Sequence, residues 1–299
     1  MIPQAYSMKI LLFGKAGQLG WEFRRTLAPL GEVIGLDQAE LDLSDLSALT
    51  EAMDALKPNL IVNASAYTAV DRAEEQRNLA FKVNAEAPAI MAEWAKRSHI
   101  PFIHFSTDYV FDGVKATPYV EEDTTNPLNV YGQSKLEGEQ AIGQVGGAYV
   151  ILRTSWVYSI GVGGFVSKVL SWARNQETLR IVTDQIGSPT WARMLAEVST
   201  TMIGSFRGNL WEYFRENSGV YHLGGAGSVS RFEFTQEILR LDPKAGEQKF
   251  KNLEPALTAD FPTQARRPLF TSLDCSRFER IFGLYMPNWR DALRLAMGE

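Results

Sequence analysis

Tyr131 and Lys135 stand four residues apart, the spacing that puts two side chains on one face of a helix. A lysine ammonium beside a phenol favours the phenolate. The pair could therefore make a proton donor and acceptor from a side chain that otherwise titrates near about 10. Ser106 and Thr107 close an apolar run from Phe102 and offer hydroxyls toward the same edge. Alone, Tyr-x-x-x-Lys describes a partly exposed tyrosine and a solvated lysine. Joined to those hydroxyls and to a glycine turn near the start of the chain, it points to proton transfer at a carbonyl.

That turn is Gly14-Lys15-Ala16-Gly17-Gln18-Leu19-Gly20, a G-x-x-G-x-x-G between a predicted strand, Lys9 to Phe13, and a predicted helix, Gln18 to Leu27. Glycines there let the backbone approach a pyrophosphate, whose charge meets the free amides and positive dipole of the helix N-terminus. The same letters could also form a tight turn with no ligand. Asp37, about 20 residues beyond the glycines, is placed to hydrogen-bond an adenosine ribose. Asp42 and Leu43 fall beside the adenine position, whereas Ser44 or Asp45 reads as the N-cap of a helix from Leu46. Ala66, Tyr67 and Thr68 follow the third predicted strand, on the carboxyl edge where such sheets bind ligands.

The elements that must position these residues alternate. Strands are expected at Val33 to Leu36, Leu60 to Asn63, Phe102 to Ser106 and Tyr149 to Arg153. Helices are expected at Leu46 to Leu56, Asn78 to Arg97 and Tyr131 to Ile142. Apolar strands alternating with helices predict an α/β fold, a doubly wound Rossmann-type parallel sheet covered on both faces. After Trp156 the rhythm weakens. Helices are plausible at Phe165 to Asn175, Trp191 to Ile203, Phe232 to Leu241 and Arg290 to Met297, and Gly204 to Gly219 reads as a surface excursion. This predicts a dinucleotide-binding domain of residues 8–157 plus 189–223, with a smaller substrate domain of residues 158–188 plus 224–299.

Bulk composition bounds the function. With 299 residues, 45% hydrophobic and 22% charged, a net charge of −5 and a single cysteine, Cys275, the chain offers no general attraction to nucleic acid or anionic membrane and forms no internal disulfide. A cytoplasmic location is expected. Met1 to Ser7 lacks the pattern of a secretory signal and reads as a frayed extension.

The chain resembles the extended short-chain dehydrogenase/reductases through Gly14, Gly17 and Gly20, Tyr131 and Lys135, and the upstream Thr107. It is most similar to the dTDP-4-dehydrorhamnose reductase family. That likeness runs through Leu11-Leu12-Phe13-Gly14-Lys15, Ser106 to Gly113, Pro127 to Gly132, Arg153 to Tyr158, Asp184 to Thr190 and Arg267-Pro268. The resemblance implies that Thr107 hydrogen-bonds the substrate carbonyl, that Tyr131 protonates it and that Lys135 holds the nicotinamide ribose. It further implies that Asp108 and Trp156 contact the sugar, and that the substrate is a nucleotide sugar reduced at C4, serving cell-surface polysaccharide synthesis. Asn84 could support a proton relay or be an ordinary polar helix residue. Dehydratases that this chain resembles follow the threonine with Asp and Glu; here Asp108 is followed by Tyr109, so reduction is expected rather than dehydration.

Asp37 suits NADH and Lys15 suits the 2′-phosphate of NADPH, so both cofactors are expected with a modest preference for NADPH. Magnesium serves some relatives, but no acidic cluster lets ligands be assigned. No G-x-S-x-G nucleophile elbow is present, and His99, His104 and His222 lack zinc-binding spacing. Two other readings stay open: a noncatalytic dinucleotide-binding regulatory subunit, and an enzyme acting on another nucleotide sugar.

Overall fold

The computed structural model describes residues 8–206 and 208–298; the extension predicted at Met1 to Ser7 lies outside the described residues. Strands β1 (Met8–Phe13), β2 (Gly31–Leu36), β3 (Leu60–Asn63), β4 (Phe102–Thr107) and β5 (Tyr149–Thr154) join a sixth, Gly219–His222, in one parallel sheet. Its order is Gly219–His222, β5, β4, β3, β1, β2. Strand order therefore reverses between β1 and β3, opening the crevice at their carboxyl ends where doubly wound sheets take ligands.

Alternation within β1 explains how both faces are covered. Ile10 and Leu12 join an apolar cluster with Phe23, Leu195, Phe214 and Phe278, while Leu11 and Phe13 join another with Met53, Met91 and Trp94. Helices α1 (Gln18–Thr26) and α2 (Leu46–Leu56) supply one side chain set to each face. A third cluster, built on Tyr158, Val169, Leu179, Phe234, Ile238, Trp289 and Leu293, packs apart from the sheet. Trp191 and Trp289 are buried within it for bulk.

The single helix expected over Asn78 to Arg97 is three pieces, α4 (Arg77–Phe81), a π-helical turn (Lys82–Glu86) and α5 (Ala87–Arg97), preceded by a short helix α3 (Val70–Glu75). Pro88 gives the reason, since it lacks the N–H that would bond the Asn84 carbonyl four residues back. The predicted excursion over Gly204 to Gly219 is also corrected. It contains the helix Leu210–Glu216, capped by Asn209, with Phe214 fully buried, and Gly219 opens the sheet's edge strand. Trp191 pairs with Tyr158 in a two-residue strand, so the next helix is Ala192–Ser205. Thr178–Val182 pairs in parallel with Asn252–Ala256, strands too short and irregular in pattern to be read from periodicity.

Candidate active site

The glycine turn is packed to a tolerance that requires glycine at 14 and at 20. Gly14 sits at φ +82°, and a Cβ there would stand 2.9 Å from the Ser65 backbone. A Cβ on Gly20 would stand 1.9 Å from the Gly14 carbonyl, so the start of α1 rests directly on the turn. Gly17 is the N-cap and no side chain caps α1, which leaves its first amides available for an anion. Gly14, Gly17, Gln18, Leu19, Asp37, Ala66 and Thr68 line one wall of a cleft of about 690 Å³. Gln18 is not free to follow a phosphate: its amide reaches Val157 O at 3.4 Å and accepts from the Ser159 hydroxyl at 3.2 Å.

A slot of about 230 Å³ adjoins the cleft, lined by Asp37, Asp42, Leu43, Ala66 and Tyr67. Asp37 accepts the Ala16 amide at 2.8 Å, tying the second strand to the glycine turn. Lys15 pairs with Glu40, and that contact, more than the Asp37 amide bond, holds the Glu40 carboxyl below its ordinary value. Asp42 accepts from the Ser44 amide, and Asp45 caps α2 through the Ala48 amide at 3.0 Å.

The opposite wall carries Thr107, Asp108, Tyr109, Tyr131, Lys135, Trp156 and Arg231. Helix α6 (Val130–Val145) brings the tyrosine and lysine; Asn129 caps it by accepting the Gly132 amide at 2.8 Å. Gly132 and Gly138 let it close on its neighbours, since a Cβ would stand 2.2 Å from Tyr109 O and 2.1 Å from Asn84 O respectively. Asn84 is buried and fully used, bonding both main-chain groups of Tyr67 and the Ser134 hydroxyl at 3.0 Å. It thus holds the Tyr67 loop against the helix that carries Tyr131.

The expected activation of the phenol by a neighbouring cation is corrected. Burial dominates and pushes Tyr131 above an ordinary phenol, a Thr107 hydrogen bond offsets part of this, and Asp108 adds to the rise. Lys135 Nζ is instead engaged by β4, donating to Phe105 O at 2.7 Å and meeting His104 Nε2 at 3.0 Å. Burial pushes Lys135 down to about 8, against the attraction of Glu139. Tyr131 is therefore a phenol with its proton in place, suited to donation.

Asp108 is buried beneath the cleft, accepting from Thr107 at 3.0 Å and from Ser155 at 2.7 Å. Desolvation raises its carboxyl above the usual range. Thr107 also accepts the Tyr109 amide at 3.1 Å, so its hydroxyl is oriented from two sides. Trp156 adopts φ +46°, a conformation rare for a bulky residue, and its indole fills the place that a side chain at Gly187 would take.

Arg231, which sequence reasoning missed, lies 3.4 Å over the Trp156 ring and 4.6 Å from the Phe165 ring. It opens the helix Arg231–Arg240, where a cation opposes the helix dipole. Desolvation pushes it down to about 10. No motif marks a lone arginine of this kind. Also missed were His104, noted only for lacking zinc-binding spacing, and the buried ion pair of Glu139 with Arg153 at 2.7 Å. Among the described residues there is no group of three or more His, Cys, Asp or Glu side chains that could hold a metal ion. No helix among them is long and apolar enough to cross a membrane.

Comparison with known proteins gives the same picture. A family model described as the RmlD substrate binding domain matches residues 8–299. A dTDP-4-dehydrorhamnose reductase of Burkholderia thailandensis is 40% identical over 294 residues, covering 97% of this chain and 98% of the relative. A crystal structure of a dTDP-4-dehydrorhamnose reductase from Clostridium acetobutylicum superposes with a TM-score of 0.88 at 35% identity, covering 97% of this chain and 98% of that one. One from Bacillus anthracis, in complex with NADP, gives 0.85 at 30% identity with the same coverage. With one family model spanning the sheet, the cleft and the separate apolar core alike, and relatives matched end to end, the chain belongs to the RmlD substrate binding domain family.

Proposed function

We propose that the protein reduces the 4-keto group of dTDP-4-dehydro-L-rhamnose to give dTDP-L-rhamnose, using NADPH and, less well, NADH. The observation that carries this reading is a single cleft joining the uncapped glycine turn to Thr107, Tyr131 and Lys135. The end-to-end likeness to dTDP-4-dehydrorhamnose reductases, one of them in complex with NADP, supports it. A reduced nicotinamide bound in this cleft would supply the hydride. Gly14, Gly17 and the first amides of α1 would hold its pyrophosphate, Asp37 its adenosine ribose, and Asp42, Leu43, Ala66 and Tyr67 its base. Thr107 would direct the sugar carbonyl, Tyr131 would give its phenolic proton to the carbonyl oxygen as hydride reaches the carbon, and Lys135 would hold the nicotinamide ribose.

The nucleotide end of the substrate finds its chemistry next to the cleft. A second cavity of about 560 Å³ is lined by Arg180, Arg231, Arg267, Phe165, Trp172 and Phe261. Three cations suit a diphosphate and three aromatic rings suit a base. Arg267 Nη1 is buried with no hydrogen-bond partner among the described residues, a donor awaiting an acceptor. The separate apolar cluster supports a substrate side built mainly from residues 158–188 plus 224–299 and a cofactor side from residues 8–157 plus 189–223, with Trp191 crossing into that cluster and Phe278 packing on the sheet. Tyr109 argues against dehydration, because burial raises its phenol and denies the site a second carboxylate base.

The reading is tested by following NADPH absorbance over a panel of nucleotide 4-keto sugars. Turnover should be largest with dTDP-4-dehydrorhamnose, and equal turnover across the panel would remove the substrate assignment. Lys15→Ala should lower the ratio of NADPH to NADH kcat/KM about fivefold, the size of an exposed charge contact. An unchanged ratio would show that Lys15 does not meet the 2′-phosphate.

A further inference from the structure

We propose that Glu40 is a specificity-determining residue for the cofactor. Its carboxylate occupies the Lys15 ammonium, so a 2′-phosphate on the adenosine ribose must win that cation from Glu40, and the preference for NADPH over NADH is held small. The ribose position follows from the two cavities. Asp37 lines both the cleft and the adjoining slot, together with Gly14, Ser65 and Ala66. A dinucleotide with its pyrophosphate on the glycine turn and its base in the slot therefore brings its adenosine ribose to Asp37. That corner is rich in acids. Asp37 accepts the Ala16 amide at 2.8 Å and the Gln38 amide at 2.7 Å, and Asp42 lines the slot beside it.

Lys15 stands in the turn itself, but its side chain is committed elsewhere. Gly14 and Ala16, on either side of it, line the cleft, whereas Lys15 lines neither cavity. Its stem lies over β2 in a groove that exists because residue 35 is glycine: a Cβ there would stand 2.9 Å from Lys15 Cβ and 3.2 Å from its Cδ. The ammonium then meets Glu40 Oε1, while Glu40 Oε2 accepts the Asp37 amide at 3.0 Å. One carboxylate thus bridges the cation to the backbone of the residue that receives the ribose. The Lys15 contact holds this carboxyl below its ordinary value, so it stays charged at neutral pH. A 2′-phosphate arriving at Asp37 meets the carboxylates of Asp37, Glu40 and Asp42, and the Lys15 ammonium that could offset them is already paired. A 2′-hydroxyl brings no charge and asks nothing of the pair. With side chains 29% exposed for Lys15 and 45% for Glu40, the restraint amounts to a few fold and not to orders of magnitude.

The proposal rests on the dinucleotide-binding part of the reductase reading and not on the sugar, so binding alone tests it. Calorimetric titration of the full chain with NADP⁺ and with NAD⁺ gives Kd for the wild type, Glu40→Gln, Lys15→Ala and the double variant. Glu40→Gln keeps an acceptor for the Asp37 amide and removes the charge. It should tighten NADP⁺ about three- to fivefold and leave NAD⁺ within about twofold, and the gain should shrink in about 0.5 M salt. In the Lys15→Ala background the same substitution should gain less than about twofold, because the cation to be released is gone. An unchanged NADP⁺ affinity in Glu40→Gln would overturn the proposal. An equal gain with and without Lys15 would overturn it too, since Glu40 would then act by simple repulsion. Wild-type protein that binds neither dinucleotide would overturn the reductase reading and the proposal together, whereas binding of both with no response to Glu40→Gln removes Glu40 alone.

Discussion

Tyr131→Phe is expected to lower kcat by about 10²- to 10⁴-fold, the contribution of a positioned acid, while leaving cofactor affinity within about twofold. The split follows from where the two functions sit. The phenol lines the wall opposite the glycine turn, and the first-turn amides of α1 make their contacts without it. Because the Tyr131 proton is held tightly by burial, activity in the reducing direction should persist into alkaline pH rather than fall near neutrality. Removing one oxygen from a half-buried ring leaves the packing of α6 intact, so the unfolding midpoint should hardly move. Full activity in a folded Tyr131→Phe protein, measured by NADPH absorbance, would take Tyr131 out of the reaction.

The second large effect is on stability. Glu139 accepts three bonds from Arg153, at 3.0, 3.1 and 2.7 Å, and one from Ser106, all in a site closed to solvent. This pair clips α6, the helix of Tyr131 and Lys135, to β4 and β5. Glu139→Ala should lower the unfolding free energy by about 3–5 kcal/mol, because it leaves a guanidinium buried without its counter-ion. Replacing both partners by apolar residues, Glu139→Leu with Arg153→Met, should recover most of that loss. Chemical denaturation of the wild type and these two variants measures both. A single variant as stable as the wild type would mean that Arg153 finds another partner or water.

Much of the fold was legible because its strands are nearly pure apolar runs separated by turn residues. The α6 pair was legible because a spacing of four has one meaning on a helix. What escaped was decided across the chain. The π turn at Lys82–Glu86 follows from Pro88, yet the gain appears only when Gly138 is seen against the freed Asn84 carbonyl. The strand Gly219–His222 is four residues long and earns its place through the register of Val220 with Ile151. Tyr131 and Lys135 share one helix, but the direction in which the phenol shifts was misjudged, since spacing says nothing of desolvation. His104 and Arg231 looked ordinary because their partners, Lys135 in one case and Trp156 in the other, are distant in sequence.

The central claim, hydride delivery to C4 of a dTDP-linked keto sugar, is tested most directly with the purified protein, dTDP-4-dehydrorhamnose and NADPH carrying deuterium at nicotinamide C4. Mass and proton spectra of the sugar product should show one deuterium, at C4, for each NADPH oxidised, and no product from dTDP-glucose. NADPH oxidation without label in the sugar, or conversion of dTDP-glucose to a 4-keto-6-deoxy sugar with no net use of NADPH, would contradict it.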